Sequence, residues 1–249
     1  MSFTLIIPAY NEYENLKTII PAVLGKTEDI IVVDPGTDDG TFELCKEYGI
    51  RYLKQKSRGK GKALVEAAEH AKYDVVCFID ADLAHNPETI SSLVNPIIAG
   101  DVMHVSGSRM LGGSSELFAD ADHFIRLMGS MVINYLISYK FKYKMTDCQN
   151  GFRAINKSFF QSLDLNSEHT TIEQELVGKT LARGMMILEV PAHEYARISG
   201  ESKINVMKHG FTYVRSLISI LAMKKISIDN IKAADIRQKY TYNWWEKNN

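Results

Sequence analysis

Apolar runs alternate with helix-patterned segments through the first part of the chain, and this alternation restricts the fold more than any other feature. Phe3–Ile7, Ile30–Val33, Arg51–Leu53 and Val75–Ile79 read as strands. Asn15–Leu24, Thr41–Tyr48, a stretch closing at Ala71 and a segment after Pro87 read as helices. Repeated β-α units with short connections require a mostly parallel sheet covered by helices on both faces, an α/β fold. The apolar Val75–Ile79 run fits a strand buried on both faces of such a sheet. Ligands bind outside the carboxyl ends of strands so arranged, and Tyr10, Asp34, Arg58 and Asp80 all fall there. The later chain is less regular. It has strands near Val102–Ser106 and Met186–Val190, helices over Asp122–Ser138 and around Glu173–Arg183, and a helical pattern beyond Gly200. The expected organisation is one domain over residues 1–203 followed by a helical segment over 204–249.

With 249 residues the chain is long enough for a substantial core. Its net charge of −1 supplies no global field for nucleic acid, which is not expected as a partner, nor for an anionic membrane; any such contact has to be local. The three cysteines, Cys45, Cys77 and Cys148, lack metal-ligand spacing, and their odd number argues against a disulfide framework and for a reducing compartment. Because Phe3 already begins a strand, no secretory signal is expected ahead of the fold. The longest charge-free stretch, Leu127–Tyr139, falls short of the ~20 apolar residues that a membrane-crossing helix needs.

The chemistry concentrates at Asp80-Ala81-Asp82, at the tip of the Val75–Ile79 strand. Two carboxylates so close do not ionise comfortably unless a cation lies between them. Mg²⁺ or Mn²⁺, which take carboxylate oxygens together with substrate phosphates, suit such a pair. Pro8-Ala9-Tyr10-Asn11-Glu12 closes the first strand with a ring to stack on a nucleobase and a carboxylate for a ribose diol, the alternative being a plain helix start with Asn11 as its cap. Asp34 ends the second strand, facing either a base or ribose or its own Pro35-Gly36 turn. Ser57-Arg58-Gly59-Lys60-Gly61-Lys62 brings cations and permissive glycines to a helix start, where backbone N–H groups favour phosphate.

Taken in order, Pro8–Glu12, Asp34 with Asp38-Asp39-Gly40-Thr41, Asp80–Pro87 and Gly107-Ser108-Arg109 resemble the family-two glycosyltransferases of the GT-A fold. Gly151-Phe152-Arg153, Glu189-Val190-Pro191 and Arg197–Lys203 narrow the likeness to polyprenyl-phosphate mannosyltransferases of the dolichyl-phosphate type. The resemblance implies a Rossmann-like sheet and inverting transfer of a sugar from a nucleotide diphosphate sugar, GDP-mannose favoured, to a polyprenyl phosphate. It implies Pro8, Tyr10 and Glu12 around the nucleoside with Asp34 beside them, Asp80 near ribose or metal, and Asp82 as the firmer ligand of Mg²⁺ or Mn²⁺. Arg109 would face the donor diphosphate or the acceptor phosphate, and Arg197 and Lys203, with Ser202 between them, would hold phosphate charge. Two positions depart from the family pattern. Pro35 follows Asp34 where a second acid is common, and Ala84 stands where relatives carry a metal-binding Gln, leaving water or His85 for that place. A C-terminal pair of membrane-spanning helices is not expected from these residues, and some members of the family lack them and work with membrane subunits.

A phosphate acceptor is already anionic and needs no strong base; a sugar-hydroxyl acceptor, with a UDP-sugar donor, is the alternative and would call on Asp147, Glu173 or Glu175. A nucleotidyltransferase or a silent nucleotide-binding module are rivals of other classes, the former disfavoured by Pro8-Ala9-Tyr10 where a glycine-rich loop is usual. In Val206–Met223, Phe211, Val214, Leu217, Ile218 and Leu221 share one face opposite Lys208, Thr212, Arg215 and Ser219. That pattern suits an amphipathic helix on a membrane interface or one packed on the domain. The expected location is cytoplasmic, peripheral at the cytoplasmic face of a membrane or against a membrane partner subunit, with Trp244-Trp245 as an anchor or oligomer contact.

Overall fold

The computed structural model describes residues 2–115, 121–196 and 206–242. Seven strands form one sheet: β1 (Thr4–Pro8), β2 (Asp29–Asp34), β3 (Arg51–Lys54), β4 (Val75–Phe78), β5 (His104–Ser108), β6 (Arg153–Asn156) and β7 (Leu188–Pro191). The helices are α1 (Tyr13–Val23), α2 (Thr41–Glu47), α3 (Lys60–Glu69), α4 (Ile90–Ile98), α5 (Arg109–Gly112), α6 (Ala121–Phe141), α7 (Lys157–Ser162), α8 (Ile172–Ala182), α9 (Val206–Ala222) and α10 (Asn230–Arg237).

The sheet order is β3-β2-β1-β4-β6-β5-β7. β3, β2, β1 and β4 are mutually parallel, and β5 and β7 run parallel to each other. β6 is antiparallel to both β4 and β5, and so joins two parallel blocks into one sheet. The sequence carries no clear strand signal at β6, because a four-residue strand opening on a charged residue shows no alternation. Arg153 is nevertheless only 2% exposed, with Nε and a terminal nitrogen donating to the Asn150 carbonyl.

Alternation along β1 explains why helices cover both faces. Leu5 and Ile7 pack with Leu16, Ile19 and Ile20 of α1 and with Leu93 and Val94 of α4. Ile6 points the other way, into a layer built from Ala63, Leu64 and Ala67 of α3, Phe160 of α7 and Ile172 and Leu176 of α8. The three cysteines are free and buried. From the C-terminal stretch, Leu217, Ile220, Ile228, Ala233 and Ile236 enter the first of these layers.

The apolar face expected for α9 divides in two. Leu217 and Ile220 are buried, the latter against Gly178 of α8, while Phe211, Val214 and Ile218 are exposed. α6, beside α9, also carries an exposed apolar strip, including Ile125, Met131, Val132, Tyr135 and Tyr139. Among the described residues no helix is long and apolar enough to cross a membrane.

Candidate active site

The parallel block β3-β2-β1-β4 brings the loops after its four strands to one edge, where they enclose a cavity of about 890 Å³. Pro8, Tyr10 and Glu12 line it from β1, Pro35–Thr37 from β2, Gln55–Lys60 from β3 and Asp80–Asp82 from β4, with His169 and Thr170 closing one side. Of the residues singled out from sequence, Pro8, Tyr10, Glu12, Arg58, Asp80 and Asp82 therefore come together.

Local backbone explains how the first of these are aimed. Asn11 has φ of 54°, a left-handed conformation that Asn tolerates better than most residues, so the chain turns sharply between β1 and α1. That turn leaves the Tyr10 ring exposed at the cavity mouth. Of the two readings open for this segment, capping by Asn11 is not the one observed: Glu12 occupies the cap position of α1, and its carboxylate accepts from Asn15 Nδ2 at 2.6 Å. Leu83, with φ of 62°, makes a comparable reversal directly after Asp82. A branched side chain in that region stores strain of the kind found at functional loops. The turn lets Asp82 Oδ1 accept from the Ala84 N–H at 3.2 Å.

Asp34 is placed behind the cavity. It is fully buried, and its carboxylate accepts from the N–H groups of Gly36 and Thr37, the Thr37 hydroxyl and the Tyr52 hydroxyl, at 2.6 to 3.0 Å. Those bonds shape the turn, whose Pro35, Gly36 and Thr37 face the cavity in its place.

In the glycine-rich loop both Gly59 and Gly61 meet neighbouring backbone. A Cβ on Gly59 or Gly61 would stand 2.2 Å or 2.0 Å from the carbonyl oxygens of Glu168 and Ser167, and the Gly61 N–H donates to Glu168 O at 2.8 Å. The glycines allow the 167–170 segment to pack on the loop. Lys60 between them reaches Asp80, at 2.8 and 2.9 Å, and Glu173 at 2.8 Å. Burial alone would lower the Lys60 pKa, but these two carboxylates raise it well above the ordinary value. The sequence names Lys60 among the cations of this loop but not its pairing with Asp80 and Glu173, which depends on contacts distant along the chain.

A second charged cluster lies where β5 and β7 end. Arg109 opens α5, and its Nε and a terminal nitrogen donate to Asp147 at 2.7 and 3.0 Å, while the other terminal nitrogen reaches Glu194 at 3.3 Å. Asp147 is 1% exposed. Burial would push its carboxyl up, yet the Arg109 guanidinium holds it below the usual carboxylate range. Glu189 supports the same corner by accepting from Thr146 and the Asp147 N–H, and burial pushes its own pKa up. Neither Arg109 nor Asp147 lines the cavity.

The three carboxylates considered as bases are all committed to such bonds. Asp147 serves Arg109 and Glu173 serves Lys60; Glu175 bonds Lys179 and the N–H groups of Asn166 and Ser167. The Asp147 carboxylate is thus buried and held by the Arg109 guanidinium, surroundings that disfavour taking up a proton. His85 stacks on Phe152 with ring centroids 5.0 Å apart, and its Nδ1 lies 3.4 Å from the His193 carbonyl. Arg197, Ser202 and Lys203 lie outside the described residues, as do Trp244 and Trp245.

Among the described residues no three His, Cys, Asp or Glu side chains gather as a metal site. The cavity still offers hard carboxylate oxygens from Asp82 and Asp80, which fits an ion completed by donor phosphates as Mg²⁺ and Mn²⁺ commonly are.

Comparison with known proteins agrees with this geometry. The chain is 29% identical over 230 residues to a dolichol-phosphate mannosyltransferase of Pyrococcus furiosus, covering 89% of this chain and 64% of that one. It is 27% identical over 198 residues to glycosyltransferase AglJ of Haloferax volcanii, covering 79% and 64% respectively. The chain thus spans 64% of the length of each of these two curated relatives. Among solved structures, glucosyl-3-phosphoglycerate synthase from Mycobacterium tuberculosis, crystallised with Mn²⁺, UDP and phosphoglyceric acid, superposes with a TM-score of 0.69 at 19% identity. That match covers 90% of this chain and 80% of the other, and it establishes the likeness as one of fold. The family model described as glycosyl transferase family 2 matches residues 4–164, and with a GT-A sheet built around the same segment the chain belongs to that family.

Proposed function

We propose that this chain is an inverting glycosyltransferase that moves a sugar, mannose from GDP-mannose as the favoured case, onto a polyprenyl phosphate at a membrane face. The observation that carries the acceptor class is the commitment of Asp147, Glu173 and Glu175 to ion pairs. A sugar hydroxyl needs a base to take its proton, whereas a phosphate brings its own negative oxygen. The name of the Pyrococcus relative points the same way.

Tyr10 would stack on the nucleobase, Glu12 would accept from the ribose and Arg58 would meet the diphosphate, a reading supported by their shared position along the cavity wall. Asp82, with the donor phosphates, would hold Mg²⁺ or Mn²⁺. When bound there, the ion supplies positive charge where the leaving diphosphate gains negative charge. Arg109, tied to Asp147, would hold the rim near the acceptor in a fixed orientation. Arg197 and Lys203 are proposed to bind the acceptor phosphate, on sequence grounds.

The exposed strips of α6 and α9 support docking on lipid. Phe211, Val214 and Ile218 lie exposed alongside Arg215, and Lys142, Lys144, Lys224 and Lys225 are exposed close by in sequence. From Phe124 to Thr146 and from Val206 to Ile228 the sequence contains no Asp or Glu. Apolar side chains bordered by cations suit an anionic interface.

An acceptor comparison tests the proposal. With GDP-mannose and Mn²⁺, release of GDP should depend on a short polyprenyl phosphate and give a polyprenyl-phosphate sugar. Release driven equally well by a sugar-hydroxyl acceptor would favour the alternative chemistry with a UDP-sugar, and release of pyrophosphate would point to nucleotidyl transfer.

A further inference from the structure

Tyr213, Leu217 and Ile220 recur at helical spacing along the side of α9 that meets the domain, and Tyr213 continues that contact to the cavity wall. α9 packs closely on α8, where a Cβ on Gly178 would stand 2.7 Å from Ile220. Gln174 of α8 donates from Nε2 to the Tyr213 carbonyl at 3.2 Å, which fixes the α9 backbone at that turn. The Tyr213 hydroxyl donates to Thr170 Oγ1 at 2.8 Å. Thr170 lines the cavity beside His169. Burial raises the Tyr213 pKa and the Glu173 carboxylate raises it further, so the hydroxyl keeps its proton at neutral pH.

A threonine hydroxyl has one proton to give and two lone pairs to accept with. Accepting from Tyr213 leaves the Thr170 O–H to donate, and a hydroxyl that accepts one hydrogen bond donates a stronger one. The charges nearby indicate what it meets. Gly59 and Gly61 pack against residues 167–169, which brings Thr170 next to the Lys60 corner of the cavity. There Lys60 pairs with Asp80 and Glu173, and Arg153 lies near both acids, so the cations of this corner are engaged by carboxylates. Arg58, by contrast, stands exposed on the wall for the diphosphate. A neutral hydroxyl donor suits a neutral, hydroxyl-bearing group, and the hexose is that part of a nucleotide sugar.

We infer that Thr170 hydrogen-bonds a hydroxyl of the transferred hexose and that Tyr213 of α9 is the positioning residue that aims it. This rests on the reading of the cavity as the nucleotide-sugar site. α9 thereby takes part in sugar binding as well as carrying the exposed apolar strip.

The test is calorimetry of the full chain with Mn²⁺, titrating GDP and GDP-mannose, with UDP and UDP-glucose in parallel. Thr170→Val and Tyr213→Phe should each weaken the sugar nucleotide about fivefold, the size of one neutral hydrogen bond, while the matching diphosphate changes less than about twofold. Because Tyr213 acts through Thr170, Thr170→Val/Tyr213→Phe should lose little beyond Thr170→Val alone. That double variant removes both partners together and leaves no unpaired hydroxyl, so it should melt close to wild type. Thr170→Ser, which retains the hydroxyl, should keep most of the wild-type affinity. Equal losses for a diphosphate and its sugar nucleotide overturn the inference, as do unchanged affinities in folded variants or fully additive losses in the double variant. A clip that serves stability alone would lower the melting temperature and leave the ratio of the two affinities unchanged. Preference of wild type for UDP-glucose contradicts the GDP-mannose reading, and the inference is then decided on the UDP pair. Wild type that binds none of the four ligands contradicts the donor-site reading itself, and the inference with it.

Discussion

The two parallel blocks of the sheet each end in a cation held between two carboxylates, yet the two clusters differ in what surrounds them. Beyond β5 and β7, Arg109 sits between Asp147 and Glu194, with the Asp147 side chain 2% exposed and Glu194 13%. Beyond β4, Lys60 sits between Asp80 and Glu173, but Asp80 opens onto a cavity of about 890 Å³. The first cluster is closed by protein and fixes a corner; the second leaves one acid within reach of a ligand. Ion pairs of similar composition therefore serve different ends, and the difference lies in which carboxylate stays exposed.

The closed cluster should show the largest effect on stability. Asp147→Ala leaves the Arg109 guanidinium buried beside a missing partner, which typically costs about 3–5 kcal/mol. Urea unfolding would measure it, and Arg109→Met/Asp147→Leu should recover most of the loss. A loss below about 1 kcal/mol would mean that this corner is solvated after all. The same pair predicts a pH effect. The folded Asp147 pKa lies below its unfolded value of about 3.9, so its contribution is complete above that pH and disappears as pH falls through the folded pKa. Unfolding free energies from pH 7 down to 2 should fall more steeply for wild type than for the apolar double variant.

A smaller contrast divides α9. Leu217→Glu buries a charge in the core and should cost several kcal/mol, whereas Ile218→Glu, on the exposed side, should stay within about 0.5 kcal/mol and weaken binding to anionic vesicles. Equal stability losses for both would remove the exposed strip as a docking face. On the melting temperature the smallest effect of all belongs to Arg58→Ala, because Arg58 is exposed at the cavity wall; it should leave stability unchanged while weakening donor binding by about 1.5–3 kcal/mol, the range for a charge-assisted hydrogen bond. Calorimetry with the nucleotide sugar reads that change.

The parallel block was legible in the sequence because its signals are local. Apolar runs such as Ile30–Val33 mark strands, and residues directly after a strand share the sheet edge whatever the tertiary details. Tyr10, Glu12, Arg58, Asp80 and Asp82 share one cavity for this reason. What escaped depends on contacts distant in sequence. Lys60 meets Glu173 only because Ser167 and Glu168 pack against two glycines, and Asp147 is committed only because β5 delivers Arg109 beside it. β6 escaped because its short run opens on Arg153, whose charge is satisfied by backbone that sequence patterning does not reveal. Asp34 was recognised as a strand end, but its four hydrogen bonds to the turn and Tyr52 required coordinates.

The central claim is that Asp82 stands at the reacting centre of a sugar transfer to phosphate. The most direct measurement is turnover of GDP-mannose with a short polyprenyl phosphate and Mn²⁺ by wild type and Asp82→Ala, with melting curves for both. Asp82 sits in a loop at the cavity wall, so the variant should melt within a few degrees of wild type while its kcat/KM falls by at least ~10²-fold, the size expected for losing charge stabilisation at the leaving group. Wild-type turnover should vanish with EDTA and return with added Mn²⁺. An Asp82→Ala protein that transfers sugar at the wild-type rate in the presence of EDTA would contradict the account.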